Sequence, residues 1–531
     1  MGPELNRTSR IVRRIWRSGA VCALCLAAFA SGADTRKFYI REYRLSGSKL
    51  LGGAEVGEAV YPYLGPGRTP EDVEGARAAL EKAYHEEGYQ TVSVSIPEQD
   101  PSRGIIRLEA SEGKVGRLRV NGARWFLPSR IKREVPSVAP GTVPDFKRVE
   151  KEMIAVNQLG DRRVTPELKP GMEPGTVDID LNVEDKMPLH GSLEVNNRYS
   201  ADTTPLRING ALSYANLFQL GHTLGLSAQV APENTDDGLV YSGYYLARTS
   251  EKTSVMFSAT KQDSNISTLG GSAVLGNGET IGARLMVDLP TTRTFYQSFD
   301  FGLDYKNFTE DLVIGKDTVA APIEYWPLTA SYAATWLRDQ SFTELNTALT
   351  LHLRGMGSDQ TDYNNKRYNA DGSFIYLRAD AAHTRDLKNG AQLFGKVQGQ
   401  ISGQPLINNE QIAGGGLGTV RGYLEATALG DNGVFATAEL RSPSLLGKGD
   451  TSPDPKNEWR FHAFADAGIV GIYDPLPGQK KRTGLSSVGI GSRLRYREHF
   501  NASADVGVPL IEQSHADDGE IRVTFRGWAD F

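Results

Sequence analysis

Two short stretches of this 531-residue sequence carry groups that could act on one another. Glycines at 414, 415, 416 and 418 lead into Val420-Arg421-Gly422-Tyr423, which sets a cation and a large aromatic on a pliant stem. Downstream, Phe464-Ala465-Asp466-Ala467-Gly468 places one carboxylate among small residues. A guanidinium presents a planar fork of donors that a carboxylate accepts in two parallel bonds. The chemistry open to Arg421 and Asp466 is therefore a charge-assisted latch. Gly414, Gly415, Gly416 and Gly418 would let the loop fold tightly, Gly422 would let Arg421 approach a wall, and Gly468 would leave space beside Asp466. Tyr423 would pack on the same surface. The bland alternative is a solvated arginine and an aspartate that never meet.

Other chemistries find little support. There is no Gly-Lys-Ser/Thr and no complete G-x-G-x-x-G to cradle phosphate, and neither H-E-x-x-H nor G-x-S-x-G occurs. The eight histidines, His85, His190, His222, His352, His383, His462, His499 and His515, stand singly. No catalytic residue, metal ligand or cofactor is assigned.

The elements that must position Arg421 and Asp466 are written in alternation. After Met187 residues alternate with a period of two to Phe531. In 280–289, Ile281, Ala283, Leu285, Val287 and Leu289 share one face; in 295–305, Phe295, Phe299, Phe301, Leu303 and Tyr305 do; in 488–497, Val488, Ile490, Leu494 and Tyr496 do. Many runs reach about ten residues, the length of a tilted strand crossing a bilayer, whereas strands of a soluble sandwich average about 5–6. About sixteen strands can be counted, an even number as bacterial barrels favour. The fold class expected is a membrane β-barrel of about sixteen antiparallel strands over 187–531, with a long loop at about 403–430. In 459–469 the odd positions are apolar, so parity alone points Asp466 into the lumen. A plug held there by one charged pair in a wet interior would be stabilised by about a few kcal/mol.

The N-terminus reads as a processing segment. Arg7, Arg10, Arg13, Arg14 and Arg17 precede a short apolar run at 20–30, too short to span a membrane, so residues 1–30 are predicted to be a signal peptide. Both cysteines, Cys22 and Cys25, would leave with it. The segment holds five arginines and one glutamate, so its removal takes the net charge from −5 to −9, which argues against a nucleic-acid partner. Between leader and barrel the pattern is mixed. Phe38 to Leu45 reads as one strand. Thr69-Pro70-Glu71-Asp72 opens a helix with Thr as cap, and Val73, Ala76, Leu80, Ala83 and Tyr84 fall at helical spacing until Gly88. Two further strands follow by residue 110. The order then repeats, with a longer helix expected over 143–159 and strands at 162–170 and 176–185. Each unit is a small α+β module.

The phrase Tyr84, Gly88-Tyr89, Ile96-Pro97-Glu98-Gln99-Asp100, Gly104 and Glu112-Gly113 resembles the first POTRA domain of two-partner secretion transporters. Val420-Arg421-Gly422-Tyr423 resembles the tip of the sixth extracellular loop in the superfamily joining those transporters to barrel-assembly proteins, and Phe464-Ala465-Asp466-Ala467-Gly468 resembles its F-x-D-x-G inner-wall motif. The terminal Phe531 resembles the signal read by the barrel-assembly machinery, although Gly527 and Ala529 depart from it. The resemblance implies POTRA domains at 37–111 and 114–186 in the periplasm, a barrel in bacterial outer-membrane lipid, and a loop folded back into the lumen. It implies capture of a secreted, unfolded exoprotein and its passage by a monomer without nucleotide. Some family members carry a plug helix before the first POTRA; a strand beginning near Phe38 leaves no room for one after cleavage. Two alternatives remain: a barrel-assembly or membrane-protein insertion factor, and, from a different class, an outer-membrane hydrolase.

Overall fold

The computed structural model describes residues 37–263, 277–309, 321–447 and 456–531, with the backbone of four short strands at 266–267, 274–275, 311–314 and 317–320. The predicted leader, with Cys22 and Cys25, lies outside the described residues. The chain divides into two compact units, Met1–Asp185 and Lys186–Phe531.

The first unit holds both modules. In the first, Glu42–Ser46 runs parallel to Ile105–Glu112, which pairs antiparallel with Val92–Ser95. The stretch read as one strand from Phe38 breaks at Arg41. Phe38–Ile40 pairs instead with Gly65–Arg68, because the Arg41 and Glu42 N–H groups both donate to Gly104 O and turn the chain between partners. Helix Pro70–Glu86 begins as its sequence dictates: Thr69 N–H donates to Asp72 Oδ2 at 2.8 Å, Pro70 occupies the first turn, and Val73, Ala76, Leu80 and Tyr84 are buried. Gly88 ends it at φ +106°, where a side chain would also meet Asp145 Oδ1.

In the second module Thr176–Asp185 is the central strand, parallel to Lys114–Asn121 and antiparallel to Arg162–Pro170. Its longer helix is Phe146–Val156, shorter than expected. The Asp145 carboxylate accepts from the Lys147 and Arg148 N–H groups and so fixes the start. Val149, Met153 and Val156 then enter the core with Ile131, Ile179 and Leu181.

The second unit is a closed antiparallel barrel. Among the described residues Ile323–Tyr325 and Leu328–Arg338 both pair with Phe295–Phe308 and form one strand interrupted at Trp326-Pro327, where proline has no N–H for the ladder. Counted so, the barrel has 16 strands. Arg522–Asp530 closes on Leu189–Asn196, and the last residue extends the seam: Phe531 and Gly191 exchange N–H···O bonds of 2.8 and 2.9 Å. The expected parity holds. Ile281, Phe301, Ile490 and Val523 face outward and are 50 to 65% exposed, as a lipid-facing band requires, whereas Asp466 is 2% exposed.

Candidate functional site: a loop docked on the inner wall

The long loop joins strands Gln392–Ser402 and Asn432–Arg441. It starts with a 3-10 turn at Asn408–Glu410 and narrows to a two-stranded stem, Ile412–Gly414 against Ala428–Gly430. The stem must turn sharply into its tip. Gly415 and Gly416 do so at φ +106° and +85°, where added side chains would strike Leu424 O and the Glu425 carboxylate. Gly418 is exposed, and its carbonyl accepts from Gln398 Nε2 at 2.8 Å.

The tip lies against the inner wall, and every one of its four residues is buried. Arg421 Nε donates to Asp466 Oδ2 at 2.7 Å and Nη2 donates to Oδ1 at 2.9 Å, a two-bond fork, while the Arg421 N–H adds 3.1 Å to Oδ2. The guanidinium carbon sits 3.5 Å from the centroid of the Phe464 ring, so the aromatic of the wall motif stacks on the cation. Val420 joins an apolar cluster with Tyr423, Phe435, Val470 and Leu485. Tyr423 Oη lies 2.7 Å from Ile511 O and 3.0 Å from Ser486 O, anchoring the ring on the wall.

Gly468 does different work from that expected, whereas Gly422 makes the close approach to the wall. Gly468 leaves its space to Phe435, whose ring would meet a Cβ at 2.2 Å; the same ring fills the space over Gly414. Gly422, at φ +91°, lies backbone to backbone against Gly507 of the wall, where an added Cβ would sit 2.8 Å from the Gly422 nitrogen.

Arg421 is not held by one pair. Its Nη1 donates to Glu439 Oε1 at 2.7 Å and approaches Asp505 Oδ1 at 3.4 Å. Glu439 also accepts from Arg441 and Arg493, and His462 Nε2 lies 2.7 Å from Asp505. Three guanidiniums thus meet three carboxylates in a cluster where Arg421 is 4% exposed. This corrects the expectation of a single pair in a wet lumen. Loop and wall exclude water from one another, and removing one partner of such a buried pair costs about 3–5 kcal/mol.

The loop is tied elsewhere too. Asp431 accepts from Arg367 at both carboxylate oxygens and from the N–H groups of Leu406 and Tyr473. Glu410 accepts from Lys306 Nζ and Tyr325 Oη, each at 2.6 Å, and Arg198 Nε donates to Glu425 Oε1 at 2.8 Å. Sequence reasoning passed over Glu439, Asp505 and Gly507. Alternation places each on the inward phase of its strand, as it does Asp466, but only the observed register brings them beside that residue's neighbours. Among the described residues no group of His, Cys, Asp and Glu is arranged to hold a metal ion.

Together the apolar outer band and the loop folded onto the inner wall define a membrane-spanning β-barrel whose interior holds one of its own loops. The family model for the haemolysin secretion/activation protein ShlB/FhaC/HecB matches residues 175–494, and the ShlB-type POTRA domain model matches residues 38–113. The chain belongs to this family of two-partner secretion outer-membrane transporters. Its barrel lies in the outer membrane and its POTRA region in the periplasm. An outer membrane transporter CdiB from Dickeya dadantii is 23% identical over 427 residues, 76% of this chain and 72% of that protein. A solved structure of CdiB from Escherichia coli superposes with a TM-score of 0.62 at 20% identity, covering 94% of this chain and 92% of the other. BamA from Haemophilus ducreyi lacking POTRA domains 1–3 gives 0.56 at 14% identity, over 93% of this chain and 100% of the other. At these identities both superpositions establish the fold alone.

Proposed function

We propose that the protein carries a large, unfolded exoprotein across the outer membrane. Residues 1–30 direct export and are removed. Residues 37–111 and 114–186 act as two POTRA domains that capture the partner in the periplasm. An open sheet edge such as Glu42–Ser46, paired on one side only, offers backbone groups to an extended peptide. The partner then threads the barrel of residues 187–531 as a monomeric conduit. No nucleotide takes part, and folding outside supplies direction. Phe531 marks the chain for the barrel-assembly machinery.

The observation that carries this reading is the loop tip buried on the inner wall by Arg421. A lumen stopper clamped by buried charge is of use where passage must be gated. Co-expression with a candidate large exoprotein, scored by release into the medium, tests the reading. Release that depends on this chain supports it. Absence of release, together with defective assembly of other barrels when the chain is depleted, would favour the insertion role.

A further inference from the structure

A row of like charges crosses the inner wall beside the loop tip, on the side nearer the two ends of the barrel chain. In the strand register Arg460 stands opposite Arg493, Arg493 opposite Ser503, and Ser503 opposite Arg526, so three guanidiniums share one row across four neighbouring strands. Arg495 follows in the next row and Arg441 in the previous one. Like charges directly opposed on a sheet face are destabilising. Each arginine of the opposed pair is offset by a carboxylate, Arg460 by Glu458 and Arg493 by Glu439, and neither contacts the loop tip directly.

These side chains and Lys396 surround a cavity of about 560 Å³. Counting Arg198 and Arg421, eight cations line it, against six carboxylates: Glu439, Glu458 and Asp505 on the cavity, and Glu425, Asp466 and Glu194 paired from behind it with Arg198, Arg421 and Arg526. The excess is local, since the net charge of the whole sequence is −5. Part of it stays within reach of a ligand: the Arg493 and Arg526 side chains retain 43% and 31% exposure even with their acidic partners in place. A cleft with an excess of one sign between low-dielectric walls draws in the opposite charge.

We propose that this cavity is a docking site for an acidic stretch of extended polypeptide, held beside the loop tip before it passes. The proposal rests on the transport reading and names what that reading leaves open, the chemistry of the segment the lumen receives. The site is charged rather than apolar, so it holds a chain without burying greasy side chains that would resist release. It also sets incoming carboxylates next to the guanidiniums that share Glu439 with Arg421.

The test uses the full chain in detergent and fluorescein-labelled ten-residue peptides, read by anisotropy. Decaglutamate is expected to bind at least about ten-fold more tightly than decalysine or a Ser-Gly decamer at low salt, and to dissociate near 1 M salt, where the screening length falls to about 3 Å. The double variant Lys396→Gln with Arg495→Gln, which leaves the contacts of Arg421 with Asp466, Glu439, Asp505 and Phe464 in place, is expected to weaken decaglutamate about ten-fold. Arg293→Gln, in the turn before Phe295, should leave binding unchanged. Heat-modifiable gel migration reports that each barrel has closed. Equal binding of decaglutamate and decalysine, or a closed double variant that binds as tightly as the parent, overturns the proposal. Should peptide binding fail while the partner is still released in co-expression, the docking site falls and the transport reading stands.

Discussion

At the scale of residues, Arg421 combines three things that no other side chain supplies together: a fork for Asp466, a planar face for Phe464 and a remaining nitrogen for Glu439. Arg421→Lys keeps the charge and loses the first two. It should therefore behave much more like Arg421→Ala than a conservative exchange would, with loss of release and raised bilayer conductance from an undocked loop. Retention of wild-type release by Arg421→Ala would remove the latch from the mechanism. Gly507→Ala makes a different demand, because it alters no charge. Its methyl group would meet the Gly422 backbone at 2.8 Å, and backbone cannot swing aside as a side chain can. That variant should raise conductance with Arg421 intact, and an unchanged conductance would show that the contact is not needed for docking.

At the scale of elements, the barrel strands and the periplasmic modules answer to different solvents. Ile281 faces outward between residues of like phase, so Ile281→Lys places an ammonium in lipid at a cost of about 2–4 kcal/mol near the midplane. The heat-modifiable fraction in outer-membrane preparations should fall accordingly. In the first module Leu80 is fully buried, and Leu80→Ala should cost about 2–5 kcal/mol, read as faster amide exchange across 38–112 with the barrel unaffected. The start of helix Pro70–Glu86 carries a pH signature. The Thr69 N–H holds the Asp72 carboxyl below its ordinary value, so the cap contributes fully above the unfolded carboxylate's pKa and is lost as pH falls through the lower folded value. The protection factors of amides in the first turn of that helix, measured against intrinsic exchange at each pH, should fall on acidification below about pH 4, and Asp72→Asn should weaken the dependence.

At the scale of the whole molecule, the buried cluster changes how opening can be pictured. A stopper on one exposed pair could be displaced by any passing chain. A stopper held by Asp466, Glu439 and Asp505 at its tip, and by Asp431 and Glu410 at its base, calls for a competing ligand of matching charge or for movement of the tip alone on its glycine stem. Gly415 and Gly416, already at positive φ, are where such a stem would flex.

What the sequence by itself determined follows from period and reach. A two-residue alternation held over hundreds of residues fixes which face of each strand meets lipid, so the barrel, its outward Ile281 and Phe301 and the inward Asp466 were all legible, as was the helix opening at Thr69. Only the tertiary structure decided which inward residues meet. Glu439, Asp505 and Gly507 stand on other strands from Asp466, and their neighbourhood depends on the stagger between strands and on how deep the loop reaches, neither of which leaves a local pattern. The same holds for the break at Arg41 and for Phe435 taking the space over Gly468, because each is settled by a partner tens of residues away. Alternation is a property of one strand; a binding cluster is a property of several strands in register.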